Sequence, residues 1–171
     1  GFYYLINAMP DIIKKQKMAK LIIIGNGSER ESLEKLTRKL KIEEKVMLLG
    51  SIIHTDLWKY YGLADVYVAS SIKDKKGNLE SHIVALFEAI ASGLPIVATK
   101  LAVNKKYVDG ENGYRVDDKD SSSLASAIIK VLNSPRILDM GKHSNDIAKK
   151  YLSYQFCTSE YIKIFKRVVG E

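Results

Sequence analysis

The chain has 171 residues, of which 46% are hydrophobic and 27% charged. That composition is typical of one globular domain with a hydrophobic core, and it argues against a disordered tail or a collagen-like repeat. Lys and Arg total 27 against 20 Asp and Glu, so the formal charge is +7. Such a surplus is compatible with an anionic ligand or surface without identifying one.

Cysteine and hydropathy patterns restrict the class of protein further. Cys157 is the only cysteine, which excludes an internal disulfide, and the three scattered histidines argue against a structural zinc site. No apolar run is long enough to span a membrane and no signal peptide is visible, so we expect a cytoplasmic protein. The chain begins with Gly1 rather than Met, from which we expect that a segment precedes it.

Apolar runs alternate with amphipathic stretches along the whole chain. Short runs that are apolar throughout predict strands buried on both faces, and apolar residues at helical spacing predict helices. The predicted helices and strands, in chain order, are a helix over 2–17, a strand over 20–24, a helix over 28–40, a strand over 46–50, a helix over 54–63, a strand over 66–69, a helix over 80–91, strands over 96–99 and 114–116, and helices over 121–132, 135–151 and 155–169.

Local signals refine several of these boundaries. Pro10 is unfavourable inside the first helix. Ser28, with Glu31 three residues later, predicts a capping box at the start of the second helix. Strands separated by helices predict an α/β fold, a doubly wound parallel sheet with helices on both faces. In such sheets ligands bind beyond the carboxyl ends of the strands, which directs attention to residues 25–28, 50–54, 70–80 and 99–105.

The stretch from Gly25 to Ser28 follows a predicted strand and opens a predicted helix. Gly25 and Gly27 would let a ligand approach the backbone, and a helix N-terminus attracts negative charge. The full dinucleotide fingerprint needs a third glycine, where this chain has Arg30. Two interpretations therefore stay open: a ligand contact or a tight strand-to-helix turn.

Glu80 and Glu88 are the most informative pair of side chains. On one helix they would lie about 12 Å apart along its axis, which is too far for two carboxylates acting on one bond, where about 5–9.5 Å is expected. The spacing suits two acceptors that hold hydroxyl groups at opposite ends of a long ligand, with a phosphate near the helix start. Glu88 lies among apolar residues, so we expect it to be partly buried and to need a partner. The alternative is that Glu80 caps the helix and Glu88 is a surface residue.

A longer pattern surrounds these glutamates. It comprises residues 24–28, 45–50, 64–71, Glu80, the run LFEAIASGLPIVAT at 86–99 and the loop VDGENGY at 108–114. Together these stretches resemble the retaining glycosyltransferases of family 4, whose GT-B fold has two facing Rossmann-like domains. The resemblance covers nearly the whole chain, from Gly1 to about Pro135.

The resemblance implies that residues 1–171 form the nucleotide-sugar-binding C-terminal half of a GT-B enzyme. An N-terminal acceptor domain and the first strand would then lie outside the chain, which alone would be inactive. The reaction would be sugar transfer with retained configuration. The resemblance implies no metal, because the helix dipole and basic residues stabilise the leaving diphosphate. No other cofactor is implied, and the nucleotide-diphosphate sugar is a co-substrate. In the implied site Glu80 is the catalytic residue, which contacts the donor sugar, and Glu88 binds the nucleotide ribose. The backbone amides of Ser81, His82 and Ile83 bind the diphosphate. The remaining implied contacts are Gly50, Ser51 and Ile52 near the base, and Gly25 and Gly27 in the turn beside the nucleotide.

The chain departs from the family pattern in two places. His82-Ile83 stands where the family commonly has an aromatic-glycine pair, which puts the close approach of the diphosphate in doubt. The family's basic residues for the diphosphate lie upstream of a glycine that Gly1 resembles, so both would precede this chain. A non-catalytic nucleotide- or sugar-binding module and a related GT-B enzyme, such as a nucleotide-sugar epimerase, are the alternative functions.

Several other side chains have two possible roles. His54 is expected to cap a helix or to lie at the surface, although it is near the predicted base site. Trp58, Tyr60 and Tyr61 are expected to pack in the core. Lys100, Asn104, Lys105 and Lys106 form either a solvated loop or a source of positive charge near the ligand. The basic clusters at 149–150 and 163–167 form either a solvated face or a contact with an anionic membrane surface at the inner membrane face. Nucleic-acid binding is not expected, because the chain has no binding motif and no concentrated basic stripe.

Overall fold

The computed structural model describes residues 1–73, 77 and 84–170. The described helices are α1 (Phe2–Lys15), α2 (Arg30–Leu40), α3 (Leu57–Leu63), α4 (Val84–Ala91), α5 (Ser121–Leu132), α6 (Ile137–Tyr151) and α7 (Tyr154–Val169). The described strands are β1 (Leu21–Ile24), β2 (Val46–Gly50), β3 (Tyr67–Ala69), β4 (Ile96–Thr99) and β5 (Gly113–Val116). Short 3-10 turns over Glu43–Lys45 and His54–Asp56 precede β2 and α3.

All strand pairs in this part of the chain are parallel, which confirms the predicted α/β class. The strands form two sheets, one of order β1-β2 and one of order β3-β4-β5. In the second sheet Val97 of β4 lies opposite Val68 of β3 and Tyr114 of β5. All four residues of β4 are fully buried, as expected for a central strand covered on both faces.

Two hydrophobic clusters form the core. The first joins α1, α5 and the β1-β2 sheet, and its most deeply buried members include Ile6, Ile12 and Leu124. The second joins α4, β4 and the loop after β4, around Ile90 and Val108. Burial of each such aliphatic side chain contributes roughly 1.5–3 kcal/mol, so these clusters fix the positions of the strand ends.

Two sequence expectations for the helix ends are corrected. Pro10 lies inside α1, which continues to Lys15 without breaking. The predicted capping box at Ser28 is wrong, because α2 begins at Arg30 with Glu29 as its N-cap and no side-chain cap. The Ser32 hydroxyl instead donates to the Glu29 carbonyl at 2.7 Å. This bond satisfies the Ser32 hydroxyl and does not cap the free amides of the first turn.

The end of α4 is held against α6 by an unusually close contact. Gly93 follows α4 with a φ of 78°, and a Cβ on Gly141 of α6 would overlap the Gly93 carbonyl oxygen. Next to this contact the buried Ser144 hydroxyl donates to the Leu94 carbonyl at 2.7 Å. Glycine at both positions therefore lets α6 approach the turn that ends α4.

The last helix, α7, has no buried residue. Five of its apolar side chains share one side of the helix and are exposed: Tyr154, Tyr161, Ile164, Phe165 and Val168. Ile162 and Val169 are exposed as well. Only its first turn makes a ring contact, between Phe156 and Tyr151 at 5.7 Å between centroids. Among the described residues, no helix is both long and apolar enough to cross a membrane.

Candidate functional site

The turn after β1 and the end of β2 lie together at one edge of the first sheet. The Gly25 amide donates to the Gly50 carbonyl at 2.8 Å, and both residues have a positive φ, which favours glycine. The Arg30 guanidinium donates to the Leu48 carbonyl at 2.8 Å. Gly27 lies in the same turn, and a Cβ on it would meet no atom within 4 Å. The turn is thus tight, as one interpretation predicted, and the space beside it is open.

Glu88 is the centre of a hydrogen-bonded group on the inner side of α4. Its Oε1 lies 2.7 Å from His54 Nε2, and its Oε2 accepts a hydrogen bond of 2.9 Å from the Tyr61 hydroxyl. The side chain of Glu88 is 26% exposed and that of His54 is 79% exposed. The prediction that Glu88 is partly buried and partnered is therefore confirmed. We call these three residues the Glu88 group.

The environment keeps the Glu88 carboxylate ionised. The hydrogen bond from His54 is the main cause that lowers the pKa of Glu88, and the bond from Tyr61 adds to it against an opposing effect of burial. Burial, followed by the hydrogen bond to Glu88, raises the pKa of the Tyr61 hydroxyl. Tyr61 therefore stays a proton donor, and Glu88 stays an acceptor at neutral pH.

An ionised carboxylate has about four lone-pair positions, of which Tyr61 and His54 fill two. No other described residue fills the remaining positions, which could accept hydrogen bonds from a ligand, and two vicinal hydroxyl groups match them in number. Tyr61 lies on α3 and is half-buried, so its hydroxyl fixes Glu88 Oε2 from the interior of the protein. His54 lies at the surface and meets the other oxygen where a ligand would approach.

Sequence reasoning missed the polar role of Tyr61, and of the two roles expected for His54 the surface position is confirmed and the capping role is wrong. His54 does not cap the helix: its 3-10 turn has Ile53 as the N-cap and no side-chain cap. Trp58 was expected in the core but is 67% exposed, so that prediction is wrong. Tyr61 is half-buried, and its hydroxyl binds Glu88. Tyr61 lies 27 residues before Glu88, and no local sequence pattern joins the two.

The other predicted site residues divide into two sets. Gly50 is buried, Ile52 is half-buried and Ser51 is exposed, in the segment that leads directly to His54. The remaining predictions, on Glu80, Ser81, His82 and Ile83, lie outside the described residues. No group of three His, Cys, Asp or Glu side chains in the described ranges is placed to hold a metal ion.

The loop after β4 lies at the corresponding edge of the second sheet. The Thr99 hydroxyl, at the end of β4, donates to the Ser71 carbonyl at 2.7 Å and so joins the ends of β3 and β4. Lys100 forms an ion pair of 2.7 Å with Asp117. Lys106 lies over the rings of Tyr151 and Phe156, at 4.1 Å and 5.0 Å from their centroids. Lys100 and Lys106 thus have defined neighbours, whereas Lys105 is exposed without an ion pair among the described residues.

Glu88 lies on α4, between β3 and β4 in the chain order. The family model described as glycosyl transferases group 1 matches residues 1–151. The chain belongs to this family. An uncharacterized glycosyltransferase of Methanocaldococcus jannaschii is 34% identical over 169 residues, which is 97% of this chain and 41% of that protein.

Two further proteins are similar to this chain, one in sequence and one in fold. The phosphatidyl-myo-inositol mannosyltransferase of Mycobacterium leprae is 27% identical over 98% of this chain and 43% of its own length. The crystal structure of the pneumococcal O-GlcNAc transferase GtfA, solved with UDP and GlcNAc, superposes with a TM-score of 0.74 at 22% identity, covering 99% of this chain and 33% of that one. The chain spans about two-fifths of the length of these curated relatives.

Proposed function

We propose that the chain is the C-terminal, nucleotide-sugar-binding half of a GT-B glycosyltransferase of family 4, which transfers a sugar with retention of configuration. The single observation that carries the proposal is the Glu88 group. Glu88 of α4 is a half-buried, ionised carboxylate held by Tyr61 of α3 and by His54, and no other described residue fills its remaining acceptor positions. Membership in the glycosyl transferases group 1 family supports it. An N-terminal acceptor domain would complete the enzyme, and the isolated chain would be inactive.

Each proposed role follows from the chemistry of the residue. Glu88 accepts hydrogen bonds from the ribose hydroxyls of the nucleotide, and Glu80 contacts the donor sugar near the bond that breaks. The amides of Ser81, His82 and Ile83 bind the diphosphate at the start of the helix, where the helix dipole favours negative charge. Stabilisation of the departing diphosphate by amides and cations would make a metal unnecessary.

The base lies, in this proposal, near Gly50, Ser51 and Ile52, and the turn with Gly25 and Gly27 forms the adjoining wall. The short distance between Gly25 and Gly50 supports a common surface for these residues. A bound UDP in the pneumococcal relative supports a nucleoside diphosphate as the ligand class.

A membrane-bound acceptor is part of the same proposal. One relative is by name a phosphatidyl-myo-inositol mannosyltransferase, and another is the alpha-monoglucosyldiacylglycerol synthase of Acholeplasma laidlawii. The exposed apolar face of α7 with Lys163, Lys166 and Arg167 suits contact with an anionic membrane surface. The protein would then work in the cytoplasm, at the inner membrane face.

Calorimetric titration with UDP, GDP and ADP tests the proposal. We expect one of them to bind, and Glu88→Gln to weaken that binding at least about tenfold, because hydrogen bonds to a charged acceptor contribute about 1.5–3 kcal/mol each. Glu44→Gln is the matched control, because it removes one exposed carboxylate elsewhere on the surface. Absence of binding to all three nucleotides, in the full-length protein as well, would refute the proposal.

A further inference from the structure

We propose that a basic depression at the carboxyl end of β4 and β5 binds a phosphoryl group. The depression has a volume of about 500 Å3 and is lined by Lys100, residues 101–103, Asn104, Lys105 and Arg115. No member of the Glu88 group lines it, so it is a separate site at the same edge of the parallel strands. Ligands of parallel α/β sheets bind at this edge.

Two of its cations have no anionic partner among the described residues. Lys100 is neutralised by Asp117 at 2.7 Å, whereas the side chains of Lys105 and Arg115 form no ion pair with the described carboxylates. Arg115 is half-buried in β5, opposite Ala98 of β4. A planar guanidinium with free donors matches two phosphate oxygens at once, and an ammonium beside it adds a second charge.

The wall of the depression is ordered by contacts that do not use these two cations. Ala102 and Val103 are buried, and the Ala102 amide donates to the Thr99 carbonyl at 2.9 Å. The Asn104 side chain accepts a hydrogen bond of 2.9 Å from the Lys106 amide. Because the loop is already held, an anion would bind without first ordering it, which lowers the entropic cost of binding.

A phosphate ester is the ligand class that fits this arrangement best. The described lining contains two cations without an ion pair, the apolar Ala102 and Val103, and no carboxylate, and the third cation, Lys100, is paired with Asp117. Such a phosphoryl group has two possible sources: the diphosphate of a nucleotide donor or a phosphate on the acceptor. The choice between these sources rests on the proposed function, whereas anion binding itself does not.

NMR titration of the 15N-labelled chain with inorganic phosphate, at ionic strength held constant with chloride, tests the site. We expect saturable shifts at the amides of residues 102–105 and Arg115. Lys105→Ala with Arg115→Ala should weaken binding at least tenfold. Arg38→Ala with Lys39→Ala removes the same charges from the exposed end of α2 and should leave binding unchanged. Lys105→Glu alone provides a variant that does not alter a strand, should the Arg115 variant fold poorly.

The possible outcomes distinguish the two sources of the phosphoryl group and show when the proposed site is refuted. If saturation with the nucleotide that binds displaces phosphate, the depression holds the donor diphosphate; if phosphate still binds with the same affinity, it serves the acceptor. Shifts that rise linearly without saturation, or an equal loss in the α2 variant, would overturn the site. Because nucleotide binding is followed separately through Glu88→Gln, failure of the phosphate site and failure of the proposed function give different results.

Discussion

Tyr61→Phe tests whether a single hydroxyl positions the carboxylate that we assign to the ribose. The change removes the donor that lies 2.9 Å from Glu88 Oε2 and keeps the ring and its packing beside Tyr67. Among the described residues Glu88 then retains His54 alone, which is 79% exposed and easily displaced by water. We expect the carboxylate to lose its fixed orientation while the fold persists.

The size of the effect follows from the burial of the pair. A hydrogen bond to a charged acceptor contributes about 1.5–3 kcal/mol, and the lower end applies here because water reaches part of Glu88. About 1.5 kcal/mol corresponds to roughly a tenfold loss of affinity, if positioning by Tyr61 is needed in full. The Kd of a ribonucleoside diphosphate should therefore rise about three- to tenfold in Tyr61→Phe.

The assay compares a nucleoside diphosphate that binds with its 2′,3′-dideoxy analogue by calorimetry. The analogue lacks both hydroxyl groups that would donate hydrogen bonds to Glu88. Its affinity should therefore be low, and it should be the same for Tyr61→Phe as for the unchanged protein. Tyr60→Phe is the matched control, a half-buried tyrosine beside it on α3. Equal losses for both nucleotides would show a structural effect only, and an unchanged ribonucleotide Kd would refute the positioning role.

Three further predictions concern stability and membrane contact. Glu88→Gln should lower the free energy of unfolding by about 1–2 kcal/mol at pH 7. The pKa of Glu88 in the folded protein lies below its ordinary value of 4.5, so the ionised carboxylate stabilises the fold fully above pH 4.5. The difference in unfolding free energy between the protein and the variant should therefore vanish as the pH falls through the folded pKa. A difference that does not depend on pH would contradict this prediction. Asn112 is fully buried and donates to the Tyr107 carbonyl at 3.0 Å, so Asn112→Ala should cost about 2–3 kcal/mol in chemical denaturation, against about 0.5 or less for the exposed Asn26→Ala. Lys166→Ala with Arg167→Ala should lower the affinity for phosphatidylglycerol vesicles, measured by co-sedimentation, roughly thirtyfold, because each charge contributes about 1 kcal/mol. Binding to vesicles of phosphatidylcholine alone should be equally weak for the variant and the unchanged protein.

The strands were predictable because their signals are local. The sequence predicts strands over 46–50 and 96–99, and the structure places β2 and β4 at those residues. The predicted helix over 121–132 matches α5, whose first turn is capped by Asp120. Continuous apolar runs and polar turn residues determine these boundaries, so they can be predicted without knowledge of tertiary contacts.

The Glu88 group was only half predictable. The burial of Glu88 follows from its apolar neighbours, but its partners come from a 3-10 turn and a helix that precede β3. Sequence offers no measure of the distance between Tyr61 and Glu88, because it depends on how α3 packs beside α4. Tyr61 looks like a core aromatic by pattern, and only the structure shows that its hydroxyl has a polar partner.

The glycine contact between α4 and α6 gives remote positions control over ligand affinity. Glu88 lies on α4, and the turn after α4 fits against Gly141 with no room for a methyl group. Gly141→Ala would push this turn away and shift the carboxylate relative to Tyr61, although Gly141 is not part of the Glu88 group. In a mutational scan selected on nucleotide binding, the α6 stretch around Gly141 and Ser144 should therefore score as intolerant, like the residues that touch the ligand.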